Sequence, residues 1–534
     1  MSEESHYGTD QLGYSWFLMV YRMSTLSVRP VLNYDILLAI MSQCDSQSTI
    51  SRMMQTCRYL SDKGDRYLLR NGVTIRSVSA LHGFFRFLVP EGSDGVRLRF
   101  LRGLTLEMQD VRGPLAARLV ELVAQMTHLE NLALVHSEYI LKNVPGLSEA
   151  ICNLRSLRNV SIGSASRKAC EMLQGLRSPL EQCTLRSYAS EDEASREPFR
   201  DSLRVGKYPE YHPTVLCEAF STSLQELTVV YGCLGPTIRA FDPPAIYPNL
   251  RRLSLTNPER TAHTYIRAFP NLEWLALWSH HEMHERCGRL ETVPINYDLE
   301  KVRARNIAQR EAHGTWEHLQ ECTGDVQGLF ILDLTCHVPR LSIAYVGRQH
   351  VQSLALILVK ARPVHLHVSK ATLAAYDRSQ VAMNIPAILR LPDCSSLQSL
   401  HLDITVDHDQ LERKCDVPAT MVRLDPPALV DDLIDKSAAQ EDLMYSLSAL
   451  PRLESFELCM STSWYLPNEG GRRRSRSSRL PILSKPGQSL LQVERALVRF
   501  NPSEFARRLS EANTALKMVT IWVDECGYDE TRSV

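Results

Sequence analysis

None of the 14 cysteines stands at C-x-x-C spacing, which excludes a zinc ribbon, a dithiol redox motif and a dense disulfide framework. Scattered thiols of this kind fit a reducing compartment, cytosol or nucleus. Charge of one sign is not in excess either: 60 Lys and Arg face 61 Asp and Glu, a net charge of -1. Bulk charge therefore points to neither nucleic acid nor an anionic membrane. The first residues, "MSEESHYGTD", are acidic where a signal peptide is basic, and "YSWFLMVY" after them is too short to span a bilayer. No membrane partner is expected. Neither a P-loop, nor G-x-G-x-x-G, nor G-x-S-x-G occurs in a suitable setting, so no cofactor and no enzymatic chemistry are expected.

What is present is a repeated pattern. "FLRGLTLEM" begins at Phe100, "HLENLALVH" at His128, "SLRNVSIGS" at Ser156 and "PLEQCTLRS" at Pro179; "SLQELTVVY", "NLRRLSLTN" and "NLEWLALWS" begin at Ser223, Asn249 and Asn271. "VQSLALILV" at Val351, "SLQSLHLDI" at Ser396, "RLESFELCM" at Arg452 and "ALKMVTIWV" at Ala515 read the same way. Leu101, Leu129, Leu157 and Leu180 stand 28, 28 and 23 residues apart, and Leu224, Leu250 and Leu272 stand 26 and 22 apart. These periods are those of leucine-rich repeats. Between them lie helix-patterned pieces such as 114–126 and 427–450.

A chain of 534 residues exceeds one simple core, but a repeat array grows in one dimension. The fold class expected is α/β: a short N-terminal three-helix module followed by an irregular leucine-rich-repeat solenoid, with a parallel strand ladder on its concave face and helices on the convex side. The boundaries expected are an extension over 1–28, the helical module over 29–72, a linker or cap over 73–99, the solenoid over 100–526 and a tail over 527–534. Stretches longer than one period, near 187–222, 281–350 and 462–490, read as surface insertions.

Residues 31–64 carry the second signal. Asn33 or Asp35 caps a first helix, Asp45 or Ser46 a second, and "CRYLSDKGDRYLLRNG" supplies a third. This stretch resembles the F-box family: Leu32, Asp35, Ile36, Leu37 and Ile40 match the start of its pattern, and Cys57-Arg58-x-Leu60 matches its end. Asn33 stands where the family usually has Pro, and Asp35 replaces Glu. With repeats following, the chain resembles the F-box/leucine-rich-repeat proteins in a divergent, fungal-like style. The resemblance implies a substrate-recognition adaptor of an SCF-type cullin ubiquitin ligase, without chemistry of its own. Its F-box would dock on a Skp-type adaptor through Leu32, Asp35, Ile36, Leu37, Ile40, Ile50, Met53, Cys57 and Leu60, and its repeats would hold an unknown substrate protein. The alternative is a repeat scaffold not linked to ubiquitin, whose N-terminal helices only cap the solenoid.

Three other features carry weaker readings. "SHHEMHERC" sets His280 and His284 four apart with Cys287 nearby, but no second ligand pair stands at a recognised interval, and a solvated loop is expected rather than a metal site. The basic run 472–479 has no interleaved aromatic residue and reads as a solvated loop. Trp274 and Trp278 flank inward leucines and so point outward with Arg252 of the preceding repeat. Either they form a substrate-binding patch, or the stretch 281–350 folds over them. Trp522, outward by the same register, is expected to be covered by the chain end.

Overall fold

The computed structural model describes residues 33–89, 96–165, 167–187, 212–231, 243–256, 263–278, 299–347, 350–372, 384–407, 436–463, 501–523 and 532–533. The chain divides into two compact units, Met1–Gly72 and Val73–Val534.

The first unit holds helices α1 (Tyr34–Gln43), α2 (Gln47–Met54) and α3 (Arg58–Arg70). Asn33 caps α1 by accepting from the Asp35 N–H, and Ser46 caps α2 by accepting from Thr49, the geometry that satisfies otherwise orphaned donors. Leu38, Met41, Ile50 and Leu60 form the buried core, with Leu37, Met53, Met54, Cys57, Tyr67 and Leu68 packed around it. Asn71 ties the end of α3 to the turn between α1 and α2 through the carbonyls of Cys44 (3.1 Å) and Asp45 (3.2 Å).

The second unit is one sheet whose strands follow sequence order from β1 to β15. They are β1 (Val73–Ile75), β2 (Gly103–Leu106), β3 (Asn131–Leu134), β4 (Asn159–Gly163), β5 (Gln182–Ser187), β6 (Glu226–Tyr231), β7 (Arg252–Thr256) and β8 (Trp274–Trp278). β9 (Glu321–Asp325), β10 (Arg340–Ala344), β11 (His365–Thr372), β12 (Ser399–Asp407), β13 (Ser455–Ser463), β14 (Met518–Val523) and β15 (Arg532–Ser533) follow. Pairing is parallel from β1 to β14, and β15 closes the last edge antiparallel. The registers stack apolar residues in columns, Leu253 beside Leu275 and Leu255 beside Leu277, and all four are buried.

Helices return the chain between strands. They include α4 (Val78–Leu88), α5 (Pro114–Gln125), α6 (Ser137–Asn143), α7 (Leu147–Cys152), α8 (Arg167–Gly175), α9 (Pro213–Leu216), α10 (His263–Ala268), α11 (Leu299–His313), α12 (Val326–Leu332) and α13 (Val351–Ala361). α5 starts with Pro at its first position, where no N–H is needed. One strand per repeat, parallel and unclosed, resembles a leucine-rich-repeat solenoid. No described helix is long and apolar enough to cross a membrane.

Four expectations need correcting. The ladder begins at Val73, not Phe100, because "VTI" pairs with β2. The stretch 281–350 is not simply an insertion, since its described part, 299–347, holds α11, β9, α12 and β10. "VQSLALILV" is helix α13 rather than a strand: Val351, Leu354, Ala355 and Leu358 are buried at helical spacing while Leu356 faces out. Part of the supposed tail is β15. The extension 1–28, most of 462–490, and residues 188–211 of the stretch 187–222 lie outside the described residues.

Candidate functional site

Alternation sets the site. On the strands the buried, mostly apolar residues form the inward columns, so the residues between them occupy the opposite, open face of the ladder. The register places Glu226, Arg252, Trp274, Glu321 and Arg340 side by side on five successive strands. Glu226 and Arg252 approach to 3.9 Å, the Arg252 guanidinium lies 4.7 Å from the Trp274 ring centre, the Trp274 Nε1–H donates to Glu321 Oε1 at 3.1 Å, and Glu321 meets Arg340 at 3.6 Å. Acid and base alternate along this row with an indole at its middle.

Trp274 and Trp278 are both half-buried. The small residues of this face beside them, Ala276 and Thr256, are buried. The chain after β8 continues the ladder as β9, whose Glu321 fixes the Trp274 edge, and each indole keeps part of its surface open. Trp522 is 37% exposed, so β15 pairs at the strand edge without covering it.

A second cluster occupies the same face further along. Ser342, His367, His401 and Glu457 share one register position on β10 to β13. Ser342 Oγ lies 3.3 Å from His367 Nδ1, the two imidazole centres are 4.2 Å apart, and His401 Nδ1 is 3.0 Å from Glu457 Oε2. Burial lowers the His367 pKa, the neighbouring His401 adds to that, and Asp403 and Glu457 oppose it. The sequence shows His365 and His367 on one strand face but nothing that brings His401 beside them, because pairing between repeats is not a local property.

In the N-terminal unit the expected adaptor-binding residues separate. Ile50 and Leu60 are core and unavailable for direct contact. Leu37, Met53 and Cys57 are half-buried against that core. Asp35, Ile36 and Ile40 are exposed, with the isoleucines at 50% and 44%. Leu32 lies outside the described residues. One turn apart, Ile36 and Ile40 share a face of α1 opposite to Leu38 and Met41, so α1 is apolar on two sides. Tyr59 extends the exposed side and its ring lies 4.6 Å from that of Tyr34.

No group of three or more His, Cys, Asp or Glu among the described residues is arranged to hold a metal ion. His280, His284 and Cys287 lie outside those residues, as does the basic run 472–479.

No protein-family model and no curated protein matches this chain. Among solved structures, the crystal structure of a TLR13–ssRNA13 complex is similar at 13% identity and a TM-score of 0.26, over 74% of this chain and 49% of that one. The chain thus spans about half the length of that structure's chain. At this similarity the repeat assignment rests on the chain's own ladder.

Proposed function

We propose that this chain is a non-catalytic recognition subunit of an SCF-type cullin ubiquitin ligase: its F-box-like helices dock on a Skp-type adaptor and its repeats hold a substrate protein. The observation that carries the reading is the outward pair Ile36 and Ile40. A three-helix module of this size has little core to spare, yet it leaves two isoleucines of one helix face in water. An exposed apolar face of that kind fits a partner contact. The tryptophan row on the open face of the ladder supplies the second contact, since aromatic residues and Arg dominate binding hot spots. Cytosol and nucleus both fit this role. The protein would act by raising the effective concentration of substrate near a ligase carried by its partners.

The test is capture of a purified Skp-type adaptor by the full chain. Wild type should retain the adaptor, and the double variant Ile36→Asp, Ile40→Asp should lose it while keeping its helical content. If wild type retains no adaptor, the ligase reading falls and a repeat scaffold not linked to ubiquitin remains.

A further inference from the structure

The ladder pairs its acids. Glu226 has Arg252 on the next strand, Glu321 has Arg340, and along the strand entries Arg102 meets Glu130 at 3.5 Å, Arg251 meets Glu273 at 3.4 Å and Lys517 meets Glu454 at 2.8 Å. Glu457 has His401. Asp403, on the open face of β12, breaks this rule: its register neighbour on β13 is Cys459. Its Oδ1 is shut off from water and has no hydrogen-bond partner among the described residues. A buried carboxylate oxygen without a donor is costly and calls for a partner.

Among the described residues, the groups around it that could donate have other hydrogen-bond partners, although its charge acts on His367. Lys370, in the bulge of β11 beside this position, donates to the Tyr345 hydroxyl at 2.5 Å and lies 4.2 Å from that ring. His367 Nδ1 faces Ser342, and His401 Nδ1 faces Glu457. On the far side, the register runs from Asp403 through Cys459 to Trp522. That indole is exposed two strands away, about 10 Å at ordinary strand spacing, within the span of a long side chain crossing the face. A half-buried acid, one oxygen of which has no donor among the described residues, with an open aromatic ring beyond it, is the chemistry that receives a cation on an aliphatic stem.

We infer that the open face over β12 to β14 receives a lysine or arginine side chain of a partner protein, with Asp403 as its counter-ion and Trp522 along its stem. The inference rests on reading the open face as the protein-binding face. It does not depend on the N-terminal helices, so adaptor capture and the experiment below fail or succeed separately.

Labelled peptides of equal length, one alternating Lys with Ser and one alternating Glu with Ser, are titrated against the full chain by fluorescence anisotropy. The lysine peptide should bind at least about tenfold more tightly than the glutamate peptide, and Asp403→Asn should weaken it about tenfold, since losing one member of a close charge pair speeds release. Trp522→Ala should weaken it severalfold. Asp403→Asn should melt no lower than wild type, because it removes a negative charge without changing the shape of the side chain. Equal binding of the two peptides, no binding of either, or lysine-peptide binding untouched by Asp403→Asn would overturn the inference. Should Asp403→Asn fold poorly, Trp522→Ala alone decides: unchanged affinity there rejects the site.

Discussion

The Arg252 guanidinium lies 4.7 Å from the centre of the Trp274 ring, on adjacent strands at one register position. The indole is held from its other side by Glu321, so it is fixed without belonging to the leucine core. That distinction sets its energetics. A cation–π contact contributes about 0.5–1 kcal/mol when exposed, and a hydrogen bond to a charged group about 1.5–3 kcal/mol when fully formed.

Trp274→Ala should therefore cost about 1–3 kcal/mol of stability, whereas Leu275→Ala, which empties the buried column beside it, should cost about 2–5 kcal/mol. Urea denaturation of the two variants ranks them. The double variant Trp274→Ala, Trp278→Ala should also weaken substrate capture by about 2 kcal/mol or more, as hot-spot truncations do. A larger midpoint loss for Trp274→Ala than for Leu275→Ala would place the indole in the core and remove it from the binding face.

In α1 the two apolar sides separate stability from docking. Met41 is fully buried, so Met41→Ala should cost about 2–5 kcal/mol. Ile36→Asp and Ile40→Asp exchange exposed surface, and each should stay within about 0.5 kcal/mol. Thermal melts followed by circular dichroism distinguish them. If the isoleucine variants melt as early as Met41→Ala, the exposed side of α1 is packing surface of the chain itself.

Asp333 gives the fold a pH dependence. It follows α12 in the left-handed conformation, at φ 52°. Its buried carboxylate takes Arg303 Nε at 3.0 Å, Lys360 Nζ at 2.6 and 2.7 Å, and Arg310. Burial alone would raise its pKa, but hydrogen bonds from Lys360, Arg310 and Arg303 outweigh it and hold the carboxyl below its ordinary value. The folded pKa is thus depressed, so the contribution is complete above the unfolded value of about 3.9 and fades as pH falls through the lower folded value. Asp333→Asn should cost about 3–5 kcal/mol at neutral pH by stranding three cations. Its deficit should shrink below pH 4. A deficit that stays constant down to strongly acidic pH would show that charge is not what holds α11, α12 and α13 together.

The repeat pattern was readable where apolar residues fill the inward positions, as at Leu253 and Leu255 or Val160 and Ile162. It faded where other residues do the same work. β9 carries Cys322 and Gly324 in those positions, so "ECTGD" shows no apolar alternation. Over 351–358 a short apolar run satisfies strand and helix periodicity alike, and packing decided for the helix. In the N-terminal module each cap was legible to within two residues, Asn33 or Asp35 and Asp45 or Ser46, of which Asn33 and Ser46 do the capping; which side of α1 turned inward was not. Ile36 and Ile40 are as apolar as Leu38 and Met41, and the other two helices make the choice. The His367–His401 contact and the orphaned oxygen of Asp403 depend on register between distant repeats, which no local window contains.

Gly324 explains its own strand's silence and can be tested. A Cβ there would run into the backbone carbonyl oxygen of Leu277 on β8 and sit 3.3 Å from Leu329 Cγ on α12. The strand backbone cannot yield as a flexible side chain would. Gly324→Ala must push β9 from β8, and overpacking of this kind costs about 1–3 kcal/mol or more. Gly83 provides the opposite case. It lies exposed inside α4, where a Cβ meets nothing within 4 Å. Gly83→Ala should therefore stabilise by about 0.5–1 kcal/mol, because alanine loses less backbone entropy on entering a helix. Denaturation midpoints of the two variants should move in opposite directions. If Gly324→Ala matched or exceeded wild type, the close approach of β8 and β9 would be wrong, and with it the placement of Glu321 beside Trp274.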